Sequence, residues 1–337
     1  ALGLAVPMVQ VVAARRLFDA GIMVKDGSAL ERLAEIDSVV FDKTGTLTLG
    51  MPQLLDPGAY APDTLALAAA LATYSRHPYS RALSRAGTGL DRPALAQVSE
   101  LPGYGVEAML DGARYRLGRA DWALAAPETT AGTVLSRDGV EIAHFSFRDD
   151  LRPGARQAVA ALREAGLTLE IVSGDTSDAV AGIAAELGIA MHQGATLPGG
   201  KAERIAALRA DGHKTLMVGD GLNDAPALMA AHVSMAPSNA ADVGRSAADF
   251  VFLHDDLSAV PLALAVARDA GRLVRQNFAI SALYNAIALP IAVAGLVNPF
   301  IAAIAMSLSS VIVVLNALRL GWGGYRSYRP RARLVQA

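Results

Sequence analysis

The sequence has 337 residues, of which 53% are apolar and 18% are charged, and its formal net charge is −2. The charged fraction lies below that of an average soluble domain and the mean hydropathy is +0.33, so part of the chain is expected to lie outside water. The near-neutral charge argues against a nucleic-acid partner. The absence of cysteine excludes disulfides, thiolate metal ligands and a thiol nucleophile within these residues.

The chain opens on an apolar stretch, residues 1–14, that carries no charge and precedes Arg15 and Arg16. It is too short to span a bilayer but matches the cytoplasmic half of a membrane helix. No initiator methionine or signal-like segment is present, so we expect a C-terminal piece of a longer protein. Residues 1–24 are assigned to this half-helix and its extension; the alternative is a buried amphipathic helix.

Residues 25–262 alternate short β-rich runs with helical Ala/Leu/Arg patterns. Three of the β-rich runs cover residues 38–41, 169–172 and 215–218. Each ends at an acidic loop that contains glycine, which predicts an α/β fold: a doubly wound parallel sheet with its active site at the carboxyl ends of the strands. This domain is assigned to residues 25–51 and 142–262.

The segment between these two parts, residues 52–141, has a pattern of its own. A helical pattern covers residues 64–86, and glycine-rich short strands cover residues 103–117. The segment is therefore predicted to be a smaller, inserted α+β domain.

Two charge-free runs, residues 278–297 and 300–318, follow the α/β domain and are separated by an Asn-Pro turn. Each is long enough to cross a bilayer. Arginines flank both runs, at positions 268, 272 and 275 before the first and 319, 326, 329, 331 and 333 after the second. The positive flanks predict a membrane hairpin over 263–320 with both ends in the cytoplasm, and a basic tail over 321–337. The alternative is a pair of helices buried in a soluble core.

The strongest chemical signal is the sequence DKTGTLT, which begins with Asp42, Lys43 and Thr44 directly after a hydrophobic run. A carboxylate at the end of a strand, followed by a turn rich in hydroxyl and N–H donors, suits a nucleophile that takes up a phosphoryl group. Asp42 is therefore the predicted nucleophile. The alternative for any one such residue is an ordinary turn aspartate.

Three later loops supply the other groups that phosphoryl transfer needs. The candidate catalytic residues in these loops are Ser173, Gly174, Asp175, Lys201, Asp220, Asn223 and Asp224. A hydroxyl can bind a phosphate oxygen, an ammonium group can neutralise developing charge, and paired carboxylates can hold Mg²⁺. The four motifs in this order predict phosphoryl transfer.

Together, DKTGTLT at 42–48 and GDGLNDAPAL at 219–228 resemble the P-type ATPases, whose catalytic domain is a haloacid dehalogenase-like phosphotransferase. The resemblance implies an aspartyl-phosphate at Asp42 and Mg²⁺ held by Asp42, Asp220 and the carbonyl of Thr44. The supporting residues that it implies are Ser173, Lys201, Asn223 and Asp224.

Soluble phosphatases of this superfamily usually carry an aspartate two residues after the nucleophile, and Thr44 stands there instead. Without that local base, hydrolysis of the acyl phosphate is expected to wait for a base from another domain. This favours a pump, with a membrane-anchored phosphatase as the alternative.

The inserted segment carries elements that resemble the nucleotide domain of the heavy-metal (type IB) P-type ATPases. The candidate ATP-binding residues are His77, Pro78, Gly103, Gly105 and Gly118. The match has a gap, because Ala72 stands where this branch often has a glutamate, which puts the adenine contacts on that side in doubt.

Polar residues within the predicted hairpin are the candidates for binding a transported ion, because polar groups inside a membrane span usually mark a pathway. The candidates are Tyr284, Asn285, Met306 and Ser310. The soft thioether of Met306 favours Cu(I), and the spacings resemble the copper/silver group. A Zn(II) or Cd(II) transporter is the alternative, for which a charged residue in the last spans would be expected.

The opening residues 1–7 resemble those that follow the Cys-Pro-Cys of a membrane helix in the copper/silver group, with Val6 before Pro7 as in the branch that supplies copper for cytochrome oxidase assembly. The resemblance as a whole implies ATP-driven export of Cu(I), or of Ag(I), with Mg²⁺ as cofactor. It further implies a multi-pass protein of the bacterial inner membrane with cytoplasmic catalytic domains, in contact with the lipid bilayer and with a copper chaperone as a candidate partner.

Overall fold

The computed structural model describes residues 2–125, 132–220, 224–240, 242–295 and 298–322. The strands in these residues are β1 (Ile22–Val24), β2 (Ser38–Phe41), β3 (Gln53–Leu54), β4 (Ala96–Leu101), β5 (Gly105–Leu110), β6 (Ala113–Arg119), β7 (Thr133–Arg137), β8 (Val140–Phe145), β9 (Phe147–Arg148), β10 (Thr168–Val172), β11 (Met191–Gln193), β12 (Thr215–Val218), β13 (Val233–Pro237) and β14 (Phe250–Phe252). The α-helices are α1 (Ala5–Asp19), α2 (Gly27–Ala34), α3 (Pro62–Ala72), α4 (Pro78–Ala86), α5 (Ala120–Ala123), α6 (Ala155–Glu164), α7 (Ser177–Leu187), α8 (Pro198–Ala210), α9 (Ala225–Ala230), α10 (Asp242–Ala247), α11 (Ala259–Val293) and α12 (Pro299–Trp322). The chain divides into two compact units, Ala1–Leu47 with Arg152–Ala337, and Thr48–Leu151.

The first unit contains a seven-stranded sheet in the order β1-β14-β13-β12-β2-β10-β11. All neighbouring strands are parallel except β1, which pairs antiparallel with β14. Every residue of β2, β12, β13 and β14 is buried, as expected for parallel strands covered on both faces. The predicted doubly wound parallel sheet is confirmed, and β2 lies inside it between β12 and β10.

The second unit is α+β. Its five-stranded sheet is antiparallel throughout, in the order β4-β5-β6-β7-β8, and β3 pairs with β9. Its core joins α3 and α4 to the sheet through Leu71, Leu83, Val106, Leu117 and Phe145, all buried. The predicted insert, residues 52–141, lies within this unit.

One helix in this unit was predicted wrongly. The helical pattern over 64–86 is two helices, since α3 ends at Ala72 and α4 begins at Pro78. His77 has φ −59° and ψ 140°, because a residue before proline is pushed out of the helical region. Pro78 has no N–H to donate to a preceding turn, so it fits the first turn of a helix better than the interior of one.

Three helices of the first unit pack against one another: α1, α11 and α12. The two longer ones, α11 and α12, are long and apolar enough to cross a membrane. Many of their large apolar side chains face outward; those at least half exposed are Leu283, Ile287, Leu289, Val293, Phe300, Ile301, Ile304, Met306, Leu308, Val311 and Leu315. A helix of a soluble core would bury these side chains, so the exposed apolar face favours the membrane interpretation. The predicted basic tail lies outside the described residues from position 323 onward.

The N-terminal helix α1 has the packing expected of a segment that is buried on one side. Its buried residues Ala5, Val9, Ala13 and Leu17 repeat every fourth position, so they form a single stripe against the neighbouring helices. The opposite side is exposed at Val11 and Phe18. This arrangement matches the predicted membrane half-helix, and one-sided burial alone is equally typical of the amphipathic alternative.

Candidate functional site

The predicted nucleophile lies at the carboxyl end of β2, an interior strand of the sheet. The backbone N–H of Asp42 donates to the carbonyl of Val218, 2.9 Å away, so the two strand ends are held together. The side chain of Asp42 is only 4% exposed. The turn that follows needs Gly45, whose φ is +74° and whose position would place a Cβ 2.6 Å from Oδ2 of Asp220. The loop that carries Asp42 and the loop that carries Asp220 can therefore approach closely because glycine has no side chain at position 45.

A buried lysine joins two carboxylates at this edge of the sheet. Lys201 lies in the first turn of α8, and its Nζ donates to Oδ1 of Asp42 at 2.5 Å and to Oδ1 of Asp224 at 2.6 Å. All three side chains are nearly inaccessible to water. Buried charges of this kind persist only when each is paired.

The electrostatics of the cluster follow from this burial. Loss of solvation, and then the neighbouring Asp224, raises the pKa of Asp42 to about 7, against the opposing effect of Lys201. Burial alone would lower the pKa of Lys201, but the charges of Asp42 and Asp224 outweigh it and raise that pKa. Lys201 is therefore a permanent cation directly beside the predicted nucleophile, where phosphoryl transfer would need one.

The loop after β10 is tied to the loop after β2 through Asp175. Its carboxylate forms an ion pair with Lys43 and accepts the hydroxyl hydrogen bond of Thr44 at 2.8 Å. Burial opposes its charge, but Lys43 holds the pKa of Asp175 below its usual value. The Asp175 N–H in turn donates to Oγ of Ser173 at 3.3 Å. Gly174 lies between them, so the predicted catalytic residues of this loop border the site.

The carboxylates at this edge fit a Mg²⁺ ion. Asp42, Asp220 and Asp224 each place one carboxylate oxygen within 4.8 Å of the other two. An all-oxygen donor set of this kind suits Mg²⁺. Asp220 and Asp224 are the paired carboxylates predicted from their loop, and the family resemblance added Asp42 and the Thr44 carbonyl as ligand candidates. Asn223 lies outside the described residues.

Sequence reasoning missed a buried arginine that supports the catalytic loop. Arg152 is 1% exposed; its Nε donates to the carbonyl of Thr46 at 2.9 Å, and its guanidinium also contacts the carbonyl of Gly45. A further bond joins it to Asp255 at 2.8 Å. A lone arginine before a proline gives no local signal of this role. Only the tertiary fold brings it under the loop that carries Asp42.

In the second unit, most candidate nucleotide residues surround one cavity of about 230 Å³. His77, Gly103, Gly105 and Gly118 line it. Pro78 is the first residue of α4 and is not among the lining residues, while His77 caps that helix by accepting the Tyr79 N–H at Nδ1, 3.3 Å away. The other lining residues include Tyr104, whose ring is covered by the guanidinium of Arg119 at 5.6 Å.

Two of these glycines are paired across the strands. Gly105 and Gly118 are register partners on β5 and β6. A Cβ at either position would collide with the backbone of the other strand. Glycine at both positions therefore permits the close strand approach at the wall of this cavity.

The four candidates for the transported ion line a cavity between α11 and α12. Its volume is about 950 Å³. Tyr284 and Asn285 come from α11, and Met306 and Ser310 from α12. The hydroxyl of Ser310 donates to the carbonyl of Met306 at 3.3 Å. Pro290 interrupts α11 and leaves the carbonyl four residues earlier without its helical donor. The structure therefore places all four residues along one cavity of the hairpin, whose remaining lining is mainly apolar.

Residues 36–232 match the protein-family model described as haloacid dehalogenase-like hydrolase. Nitrogen fixation protein FixI of Rhizobium meliloti (strain 1021) is 52% identical over 323 residues, which cover 95% of this chain and 42% of that protein. A copper-exporting P-type ATPase of Mycobacterium tuberculosis (strain ATCC 25618 / H37Rv) is 39% identical over 338 residues, 95% of this chain and 44% of that protein. The chain thus spans less than half the length of these relatives.

Solved structures give the same picture of the fold. The crystal structure of a zinc-transporting PIB-type ATPase in the E2.Pi state has a TM-score of 0.80 and 30% identity, and the match covers 95% of this chain and 55% of that one. The catalytic domain of the CPx-ATPase CopB-B has a TM-score of 0.65 and 29% identity, with 74% of this chain and 98% of that one covered. The first of these structures is described as zinc-transporting, and the description of the second names no metal.

Proposed function

Since this chain belongs to the haloacid dehalogenase-like hydrolases, and its relatives include heavy-metal P-type ATPases, we propose that Asp42 accepts the γ-phosphoryl group of ATP to drive transport of a metal ion. The observation that carries the proposal is the buried contact of Lys201 with both Asp42 and Asp224. A cation fixed beside a carboxylate nucleophile serves transfer of a negatively charged group and has no evident purpose in a purely structural domain.

In the proposed reaction, a carboxylate oxygen of Asp42 forms a bond to the γ-phosphorus as the bond from that phosphorus to ADP breaks. Lys201 neutralises charge on the transferring group, and the backbone of the Gly45 turn lies beside it. Asp42, Asp220 and Asp224 would hold Mg²⁺, which when bound neutralises phosphate charge. Lys201 also favours the ionised form of Asp42, which is the form that attacks.

The acyl phosphate is expected to persist once it is formed. Thr44 stands where a soluble phosphatase of this superfamily has its general acid/base, and its hydroxyl already donates to Asp175. A threonine hydroxyl is a poor base at neutral pH, so water attack on the intermediate lacks local assistance. This favours a pump over the phosphatase alternative, because a pump must hold its phosphoenzyme while the ion moves.

The cavity of the second unit is the proposed ATP site. The backbone at Gly103, Gly105 and Gly118 allows a ligand to come close to the strands, and Tyr104 offers an aromatic face. Arg119 supplies a cation to the same cavity. Stacking and a phosphate contact are the interactions that a nucleotide needs.

For the transported ion we propose Cu(I), with Ag(I) as an equivalent soft ion. The hairpin cavity offers a thioether, a phenol, an amide and a hydroxyl, and the hairpin runs 278–297 and 300–318 contain no carboxylate. Soft, weakly charged donors favour a soft monovalent ion, whereas Zn(II) prefers nitrogen, thiolate or carboxylate ligands. Zn(II) remains the competing candidate, since a zinc-transporting ATPase is among the similar structures.

The arginines that flank the charge-free runs favour a membrane protein whose catalytic units face the cytoplasm. We expect these units to lie at the cytoplasmic surface of a bacterial inner membrane. A copper chaperone as partner and a role in oxidase assembly stay part of the proposal.

The experiment that tests the proposal is phosphorylation of the chain by γ-labelled ATP with Mg²⁺. Wild type is expected to give an acid-stable, hydroxylamine-sensitive label, Asp42→Asn none, and the matched control Asp178→Asn, at an exposed helix position, a normal amount. An equal label in the Asp42→Asn variant would overturn the assignment of the nucleophile.

The same assay separates the metals. We expect Cu(I) to change the level of phosphoenzyme where Zn(II) does not. Activation by Zn(II) alone would favour the competing candidate.

A further inference from the structure

A separate polar cavity lies where α1, α11 and α12 meet, and it is not part of the proposed ion cavity. Its volume is about 210 Å³, the space of about seven waters in the liquid. The residues that line it are Arg16, Asp269, Arg272, Leu273, Gln276, Arg319 and Leu320. Three guanidinium groups against one carboxylate give this lining a formal charge of +2. Each of the three helices contributes one of the arginines.

The position of this arginine cavity along the helices places it at the membrane surface. Arg319 directly follows the second charge-free run, and Arg272 precedes the first run by six residues, about 9 Å along a helix. Arg16 follows the uncharged opening stretch. The polar layer of a bilayer extends about 5–8 Å beyond each side of the hydrocarbon core. The backbone of Arg319 therefore lies at the inner edge of this layer and that of Arg272 just beyond its outer edge, so that their long side chains can reach the lipid phosphates.

The contacts of the arginines orient them within the cavity. Arg319 donates to Oδ1 of Asn316 at 2.9 Å, Arg16 contacts the carbonyl of Leu320, and Arg272 pairs with Asp269. A guanidinium has five N–H donors in a planar fork that matches two phosphate oxygens. The contacts described for Arg272 and Arg319 use only some of these donors.

We propose that the arginine cavity binds the headgroup phosphate of an anionic phospholipid. The guanidiniums supply charge and a bidentate fit to phosphate, while Leu273 and Leu320 give the cavity an apolar wall against which the glycerol and upper acyl chain can pack. A zwitterionic lipid carries a cation that the excess positive charge repels. The inference rests on the membrane placement of α11 and α12 proposed above.

The test is native mass spectrometry of the purified chain after exchange into mixed phosphatidylglycerol and phosphatidylcholine. We compare wild type with the triple variant Arg16→Gln/Arg272→Gln/Arg319→Gln. The matched control is Arg15→Gln/Arg268→Gln/Arg275→Gln, which removes the same charge from arginines that do not line the cavity. The cavity variant should lose at least about tenfold in phosphatidylglycerol affinity, since each basic residue contributes about fivefold at an anionic surface. In the control variant, the decrease in the logarithm of the phosphatidylglycerol affinity should be less than half of that in the cavity variant.

A second variant covers the case in which the triple variant does not fold. Asp269→Asn removes the carboxylate of the cavity without removing an arginine, and should raise phosphatidylglycerol affinity about fivefold. Equal losses in the cavity and control variants, together with no gain for Asp269→Asn, would overturn the proposal in favour of a diffuse charge effect. Equal binding of inorganic phosphate, at the same phosphate concentration, to the wild-type chain with and without bound phosphatidylglycerol would also overturn it, because the ligand would then be the free anion.

Flotation with vesicles separates this proposal from the proposed function. A wild-type chain that floats with vesicles of either composition but shows no preference for phosphatidylglycerol contradicts the lipid site alone. A chain that floats with neither composition contradicts the membrane placement itself.

Discussion

The catalytic cluster and the hairpin cavity are both polar sites, but they are built in opposite ways. At the catalytic cluster, Asp42, Lys201 and Asp224 are almost fully buried and joined by contacts of 2.5–2.6 Å. In the hairpin cavity, Met306 is 65% exposed and the polar side chains are spread over a volume of about 950 Å³. The first site has one geometry fixed by charge pairing, whereas the second has a set of donors with room to rearrange.

The difference follows from what each site has to do. Phosphoryl transfer depends on charges that are in place before the reaction, since moving dipoles at the moment of transfer is costly. An ion that must leave as well as enter requires weaker and more adaptable ligands. Conservative changes are therefore expected to have large effects at the catalytic cluster and small effects in the hairpin cavity.

The largest effect is expected for Lys201→Met. Loss of the ammonium removes the charge beside Asp42 and leaves two buried carboxylates facing each other, so phosphorylation by ATP should fall about 10²–10³-fold. The measurement is the initial rate of phosphoenzyme formation. The control is Lys214→Met, which removes a half-exposed lysine paired with Glu35.

Folding has to be checked separately for this variant, because removal of one partner of a buried pair costs about 3–5 kcal/mol. Thermal unfolding of the two lysine variants distinguishes loss of catalysis from loss of the fold. A folded Lys201→Met protein with a normal rate would show that the close contact is structural only.

A smaller effect is expected for Gly45→Ala. The new Cβ would lie 2.6 Å from Oδ2 of Asp220 and would have to adopt a left-handed conformation, so one Mg²⁺ ligand must shift. We expect the Mg²⁺ concentration for half-maximal phosphorylation to rise about 10–100-fold, the range found when groups that orient metal ligands are changed.

The control is Gly212→Ala, which has φ +90° but no heavy atom within 4 Å of the new Cβ. The Gly212→Ala variant therefore has the strain of a left-handed backbone conformation but no steric collision of the new Cβ. A Mg²⁺ requirement that rises equally in both variants would mean that strain, and not the position of Asp220, explains the effect.

The sequence predicted those parts of the fold that local patterns determine. The strands at 38–41, 169–172 and 215–218 agree with β2, β10 and β12 to within one residue, because buried parallel strands are continuous apolar runs. The break between α3 and α4 was missed although Pro78 signals it and although residues 73–81 hold no aliphatic side chain. A helical sequence pattern indicates that a helix is present more reliably than it indicates the residues at which the helix begins and ends.

The residues of the candidate site that directly follow strands could be predicted from the sequence. The residues that contact the site from distant positions in the sequence could not. Asp42 and Asp220 stand in motifs that sequence alone displays. Arg152 contacts the Thr46 and Gly45 carbonyls from more than 100 positions away, and no local pattern encodes such a contact. The opposing glycines Gly105 and Gly118 were named as nucleotide candidates, but their pairing across β5 and β6 is visible only in the structure.

In the hairpin cavity, Met306→Leu is expected to have a moderate effect. Leucine conserves the volume of the side chain but lacks the sulfur, so the Cu(I) concentration for half-maximal response of the phosphoenzyme should rise about tenfold, or about 1.4 kcal/mol. Ile304→Leu, at an exposed position of the same helix outside the cavity lining, is the matched control. An unchanged Cu(I) response in the Met306→Leu variant would remove the thioether from the proposed ligands.

The smallest effect is expected for Ser310→Ala. The Ser310 hydroxyl donates to the Met306 carbonyl at 3.3 Å and offers an ion only its hard oxygen lone pairs, which a soft monovalent ion prefers less than a thioether. The Cu(I) response should change by less than about threefold, which matches the roughly 0.6 kcal/mol of an average polar contact between membrane helices. A change of tenfold or more would mean that Ser310 has a fixed place in the ion site, and that the hairpin cavity is as strictly organised as the catalytic cluster.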